Sequence, residues 1–203
     1  GLKNFKVLFT NDKRPWTQGL ARNMGAKEAR GEFLFFTDID HILTMQAIED
    51  VLKYEGDKMV FPRYFGILDR WGNIISDQTS ILNFGLDPAR IHGRRGIDAN
   101  GDISAGTHGN TYAIRKAIFD KIGGYYSRYC TSGFHVGGHY QSEESKFNAM
   151  FNRMWGSGEA KGADVGSKIY HYPVSKFRKD GNNNPFGLFH KLSLEQVPQP
   201  MLP

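Results

Sequence analysis

Asp38 and Asp40, in the tetrapeptide Thr37-Asp38-Ile39-Asp40, follow directly on the apolar run Phe33-Leu34-Phe35-Phe36. Two carboxylates one residue apart at a strand end can project towards one divalent ion, or divide their work between a metal and a ribose. Oxygen donors of this kind suit magnesium or manganese bound along with phosphates. In open α/β sheets ligands bind in the crevice beyond the carboxyl ends of the strands, which is where this pair falls. Spacing alone leaves two other readings open: an exposed loop with two solvated acids, or Asp40 capping a short helix. A second acidic pair, Glu143-Glu144, opens an apolar-striped segment, where acids favourably meet a helix dipole whether or not they do chemistry. Arg22 can meet a phosphate or be a solvated helix residue, and its neighbour Asn23 can hold the strand-end loop.

Those residues need elements to carry them. Residues 5–10 read as a short strand and 11–15 as a loop. A helix is expected over 18–30, with Ala21, Gly25 and Ala29 on one small-residue face and Gly31 ending it. The run 33–36 has the length and unbroken apolarity of a strand covered on both faces. Thr44 can cap the next helix, whose Ile48, Val51 and Leu52 share a face and which Gly56 closes. Residues 58–61 form another strand before Pro62, and this alternation predicts α/β architecture.

Beyond Pro62, residues 69–73 look like a turn between two strands, and 87–109 is mostly loop. Within it, Asp98-Ala99-Asn100-Gly101-Asp102 resembles a calcium loop but lacks the later glycine and glutamate, and is read as a turn. A helix over 115–122 lines Ile118 and Ile122 up with Ile114 and stops at Gly123-Gly124. Another, capped by Ser142, carries Phe147, Met150, Phe151 and Met154 and ends at Gly156. Residues 168–172 make a last strand, and an extended tail follows.

The chain has 203 residues, a length that suits one domain with a proper core. No apolar run approaches the roughly 18 residues of a membrane-spanning helix, and no signal peptide is visible. The single cysteine, Cys130, excludes an internal disulfide framework and fits a reducing compartment. A net charge of +5 favours anionic partners in general. The basic clusters Arg94-Arg95 and Lys176-Phe177-Arg178-Lys179 are short and have no nucleic-acid module around them, so no nucleic-acid partner is expected. Glycine, at 24 residues, exceeds its usual share of about 7% and points to many tight turns.

Ala21-Arg22-Asn23-Met24-Gly25, then Ala29-Arg30-Gly31, the apolar strand and Asp38-Ile39-Asp40 closely resemble a stretch of family 2 type glycosyltransferases. In that stretch Ala-Arg-Asn-x-Gly, Ala-x-Gly, an apolar strand and Asp-x-Asp follow in the same register. Downstream, Ile114-Arg115, Phe119 and Ile122-Gly123-Gly124 are similar to the acceptor-side segment of the same superfamily. Gly137-Gly138, Glu143-Glu144 and Phe147 resemble the Gly-Gly, Glu-Asp, Phe pattern of a galactosyltransferase-type C-terminal half. The resemblance implies a GT-A fold, a Rossmann-like mixed sheet flanked by helices. It also implies an inverting transfer of a hexose, galactose or N-acetylgalactosamine, from a UDP-sugar donor to a carbohydrate or glycoconjugate acceptor.

On this resemblance Asp40, Asp38 and His171 hold a divalent cation, Mn2+ or Mg2+, while Asp38, Arg22 and Asn23 face the donor. His171, in Tyr170-His171-Tyr172, falls where related galactosyltransferases contribute a metal-binding histidine, although a histidine beside a strand is also a common structural residue. Glu144 takes the position of the general base, where the family usually has aspartate, and Glu143 would bind hydroxyls. Trp155, His135 and Tyr140 flank the acceptor side. Residues 1–62 form the donor and metal half, 63–175 the acceptor half, and 176–203 the tail of one transferase domain.

In the family resembled, two strands and their helices normally precede the strand at Phe5, so the chain is expected to be either a fragment of a longer enzyme or a shortened, N-terminally truncated member. An exposed sheet edge would then favour homo-oligomers. The alternative is a degenerate or incomplete transferase acting as a glycan- or nucleotide-binding module. The expected location is the cytoplasm, peripheral to a membrane at most.

Overall fold

The computed structural model describes residues 6–14, 17–69, 71–83, 97–106, 111–127, 134–136, 139–141 and 143–171. In chain order the described elements are α1 (Gln18–Glu28), β1 (Phe33–Phe36), β2 (His41–Ile42), α2 (Met45–Leu52), β3 (Lys58–Val60), β4 (Arg63–Phe65), β5 (Ile67–Leu68), β6 (Ile74–Ile75), α3 (Gln78–Asn83), β7 (Ser104–Gly106), β8 (Tyr112–Arg115), α4 (Lys116–Ile122), β9 (Phe134–Val136), β10 (His139–Gln141), α5 (Glu143–Gly156), β11 (Ala163–Val165) and β12 (Ile169–His171). This is the mixed α/β architecture expected, with mixed sheets and flanking helices. No described helix is long and apolar enough to cross a membrane. The chain divides into two compact units, one from the described residues of 1–34 and 114–162, the other from those of 35–113 and 163–187.

In the first unit α1 ends two residues earlier than the sequence suggests. Ala29 turns extended, with ψ 137°, while its N–H still reaches the Gly25 carbonyl, so Gly31 lies beyond the cap. The buried face of α1 is Gly19 and Ala26, seven residues apart, whereas Ala21 is exposed. Packing therefore selected a small-residue stripe different from the one spacing picked out. Helix α4 stops as expected: Gly123 is left-handed at φ 86°, a conformation glycine adopts without a Cβ penalty. Its Phe119 packs against Phe147 of α5, and the Tyr125 ring stacks on Phe147 at 4.7 Å. Phe147 and Phe151, one turn apart on α5, are both buried, while Trp155 is 56% exposed. The strand expected over 5–10 is absent among the described residues 6–10. Val7 and Phe9 are exposed there, and a strand without a hydrogen-bonded neighbour has nothing to hold it.

One four-stranded sheet has the order β1-β8-β3-β11, in which β3 and β11, both in the second unit, run parallel. A second has the order β2-β12-β4-β7, in which β12 runs parallel to β4 and antiparallel to β2. The first core cluster gathers Ala47, Met59, Phe61, Ala113 and Ile169, and the second Phe65, Ile81, Ile103 and Ala105. Strand β1 was expected to be covered on both faces. Its burial instead alternates, with Leu34 and Phe36 buried and Phe33 and Phe35 half-buried. Within this unit Phe36 meets Tyr112 at 5.2 Å and Phe35 stacks on Phe61 at 4.8 Å.

Thr44 caps α2 as expected: its Oγ1 accepts the Ala47 N–H at 3.1 Å and donates to the Lys168 carbonyl at 2.9 Å. The helix turns a different face inward, however. Ala47 is fully buried and Val51 packs beside it, whereas Ile48 and Leu52 stand out to solvent. The turn at 69–73 joins β5 to β6, with Asp69 Oδ1 accepting the N–H groups of Trp71 and Asn73 at 2.8 Å. The stretch 98–102 is also a turn, as expected, and Lys168 Nζ bonds both Asp98 and Asp102.

Candidate active site

Residues 37–41 form a tight turn at the carboxyl end of β1, closed by the His41 N–H on the Asp38 carbonyl at 3.2 Å. Ile39 is fully exposed at its crest, which leaves Asp38 and Asp40 half-buried on either side. The turn delivers the chain into β2, and there register does the positioning. His41 and His171 are direct partners across the antiparallel β2 and β12 ladder, so their side chains emerge on one face. Their rings meet edge-on at 5.4 Å. On the other side of β12, His171 is the partner of Phe65, whose ring also meets it edge-on, at 5.6 Å.

Arg63, at the start of β4, is buried beneath these rings. Its Nε donates to the Gly106 carbonyl at 3.0 Å and its Nη2 to the Ala105 carbonyl at 3.3 Å. Its Nη1 reaches His41 Nε2 at 3.2 Å and His171 Nδ1 at 3.4 Å. A guanidinium only donates, so both of these ring nitrogens act as acceptors. The proton of His41 then sits on Nδ1, facing the Thr111 hydroxyl at 3.0 Å and the Thr37 hydroxyl at 3.2 Å. The Asp38 N–H also lies 3.4 Å from Nδ1, a nitrogen that in this tautomer carries a proton and cannot accept it.

His171 is 4% exposed, and its Nε2 lies 3.7 Å from Asp40 Oδ2. Bonds from imidazole or carboxylate to a divalent ion of this kind are about 2.0–2.2 Å long, so two donors on one ion lie no further apart than roughly 4.4 Å. The pair meets that limit, and nitrogen with oxygen donors suits manganese. Asp40, His41 and His171 together offer ligand atoms within 4.8 Å of one another. Both His41 nitrogens are engaged by Arg63 and the hydroxyls, which makes His41 a support for the cluster and leaves Asp40 and His171 as the fitting pair. Asp38, the other acid of the motif, stands one residue before the crest of the same turn.

The remaining sequence-derived residues belong to the first unit. The Asn23 side chain is bound to the Tyr125 backbone at both ends: Nδ2 donates to the carbonyl and Oδ1 accepts the N–H, each at 2.8 Å. Gly124, at φ 71°, passes so close that a Cβ there would stand 2.5 Å from Asn23 Oδ1. Arg22 lays its guanidinium over the Tyr125 ring at 5.4 Å. Glu144 is half-buried in the first turn of α5. The side chains of Glu143, His135 and Tyr140 lie outside the described residues, although β9 and β10 place His135 and Tyr140 as register partners.

A cavity of about 160 Å³ lies in this unit, lined in part by Gly124, Tyr126, Ser127, Lys146 and Met150. Lys146 Nζ sits 3.5 Å from the centre of the Tyr126 ring. Sequence reasoning missed Arg63, Thr111, His41, Tyr126 and Lys146. His41 had one signal, its place immediately after Asp40, whereas Arg63 and Thr111 join the site only through side-chain hydrogen bonds between residues far apart in the chain.

The family model for glycosyl transferase family 2 matches residues 2–123. No curated protein and no solved structure matches the chain. The matched region covers more than half of the sequence, takes in the Ala-Arg-Asn-x-Gly segment and the Asp38–Asp40 turn, and agrees with the α/β architecture described above. The chain belongs to the family 2 glycosyl transferases, with the GT-A fold of that family.

Proposed function

We propose that this chain moves a hexose from a UDP-sugar to a hydroxyl of a carbohydrate or glycoconjugate, with inversion, and that Asp40 and His171 hold the Mn2+ or Mg2+ it needs. The observation that carries the reading is the 3.7 Å separation of Asp40 Oδ2 and the buried His171 Nε2 at the end of the motif strand. When bound, the cation would supply positive charge for the departing diphosphate. Asp40 provides the anionic oxygen and His171 the neutral nitrogen, while Asp38 is left to meet the donor ribose or the same ion. Arg22 is a phosphate contact in this reading, and Asn23 serves the donor side indirectly, by fixing the Tyr125 backbone. Glu144 takes the proton from the attacking hydroxyl, and Glu143 binds hydroxyls beside it. The cavity at Tyr126 and Lys146 suits an acceptor sugar, since a ring face stacks on tyrosine and an ammonium donates to hydroxyls.

Calorimetric titration with UDP-galactose and UDP-N-acetylgalactosamine, with and without Mn2+, tests the proposal. Binding should depend on Mn2+ and disappear in Asp40→Ala, and equal affinity in that variant would remove the centre of the argument. Glu144→Gln should keep donor binding and lose transfer and donor hydrolysis. Donor binding without any turnover in the unaltered protein would instead favour a nucleotide- or glycan-binding module.

A further inference from the structure

Arg63 has no place in the roles above, yet it is buried at 8% exposure and touches both histidines of the cluster. Two carbonyls, of Gly106 and Ala105, anchor one side of its guanidinium, and Nη1 projects onto His41 Nε2 and His171 Nδ1. A cation bound at His171 Nε2 needs the lone pair of that nitrogen, so the ring proton would have to sit on Nδ1. Nδ1 is where the guanidinium donates, and two N–H groups cannot bond to each other. The guanidinium also brings a positive charge to the place where a second, divalent one is to be held, in a setting with little water to screen it.

We propose that Arg63 is a positioning residue that holds His171 in the tautomer a divalent cation cannot use, so that cation binding has to displace the guanidinium from this ring. The inference rests on Asp40 and His171 being the cation ligands. A cation at Nε2 would require the ring proton to stand on Nδ1 instead, one proton lost to solvent and one taken up, with no net change. Arg63 keeps its bonds to Gly106, Ala105 and His41, and the cation site is weak until this exchange is made. Affinity for the ion alone is thereby kept low, and an anionic diphosphate arriving with the ion makes up the difference.

The experiment is Mn2+ binding, followed by the electron paramagnetic resonance of the free ion, in the full chain and in Arg63→Gln, Arg63→Lys and Asp40→Ala. Glutamine removes the charge and keeps one donor for the Gly106 carbonyl. It should bind Mn2+ on the order of tenfold more tightly than the unaltered chain, whereas lysine, which keeps the charge, should not. Equal or weaker binding in Arg63→Gln, with Asp40→Ala still losing the ion, would leave the cation site standing and overturn the role given to Arg63. Identical Mn2+ binding in Asp40→Ala and the unaltered chain would overturn the underlying site instead. Long-range proton–nitrogen correlation spectra of the unaltered protein decide the matter should Arg63→Gln fail to fold. His171 should carry its proton on Nε2 without a cation and on Nδ1 with Mg2+, and an Nδ1 proton before Mg2+ is added would refute the proposal.

Discussion

Replacing Lys58 by methionine should stabilise this protein at neutral pH. Lys58 opens β3, is 5% exposed, and has its ammonium pushed down from 10.5 to about 8 by burial. Each unit of difference between folded and unfolded pKa is worth about 1.36 kcal/mol, so roughly 3 kcal/mol of stability is withheld below about pH 8, where both states carry the charge. The Tyr112 ring, 4.7 Å from Nζ, returns about 1 kcal/mol of that. The sign follows from proton counts. Between about pH 8 and 10.5 the unfolded chain binds more protons at this site than the folded one, so the cost is full below that window and vanishes as pH rises through it. Tyr54, which donates to the Lys58 carbonyl at 2.6 Å, does not confuse the window, because burial and Asp164 push its hydroxyl well above the usual range. Urea unfolding should therefore show Lys58→Met more stable by about 2 kcal/mol at pH 7, shrinking towards zero near pH 10.5. A variant that is less stable at pH 7, or whose advantage is the same at both pH values, would refute the argument.

Asn23→Ala strips two bonds from the backbone of the buried Tyr125 and should cost about 2–4 kcal/mol in a thermal or urea melt, with Asn23→Asp recovering part by keeping the acceptor. Gly66→Ala would bring a Cβ within 2.8 Å of the Tyr170 Cβ, so it should cost about 1–3 kcal/mol and lower Mn2+ affinity in calorimetry by shifting β12. Met45 and Leu52 are 70% and 79% exposed on the same helix, with Ile48 between them; if copies of the chain associate through this stripe, Leu52→Glu should shift light-scattering masses to the monomer.

The parts of this fold that sequence reveals are those set by neighbours along the chain. Thr44 caps its helix, Gly123 ends another, and the turns at 69–73 and 98–102 form because local side chains satisfy local backbone groups. Where burial decides, periodicity misleads. On α2 the apolar residues at 48 and 52 look like the core face, yet tiny Ala47 is the residue pressed against Phe61 and Ile169. On α1 the same happens between Ala21 and Ala26. Residues 6–10 have strand chemistry without a strand partner among the described residues. At the site, Asp38, Asp40 and His171 stand out by type, whereas His41, Arg63 and Thr111 gain their meaning from pairings that no spacing rule reaches.

Those pairings also divide the labour of the proposed site. Asp38, Asp40, His41, Arg63 and His171 all belong to the second unit, and Arg22, Asn23, Glu144 and the Tyr126 cavity to the first. The proposed cation cluster is built on one sheet, with His41 on β2 the register partner of His171 on β12, and Arg63 on the neighbouring β4 two residues before Phe65, the other partner of His171. Its geometry therefore depends on ladder hydrogen bonds, and a substitution that shifts β12 should disturb the proposed ion site without touching a ligand. Glu144, the proposed base, depends on something else, the first turn of α5 and the aromatic stack of Phe119, Tyr125 and Phe147 that Asn23 secures. Ion affinity and turnover should accordingly respond to different substitutions: changes around Asn23 and Gly124 act on transfer, and changes around Gly66 and Arg63 act on the cation.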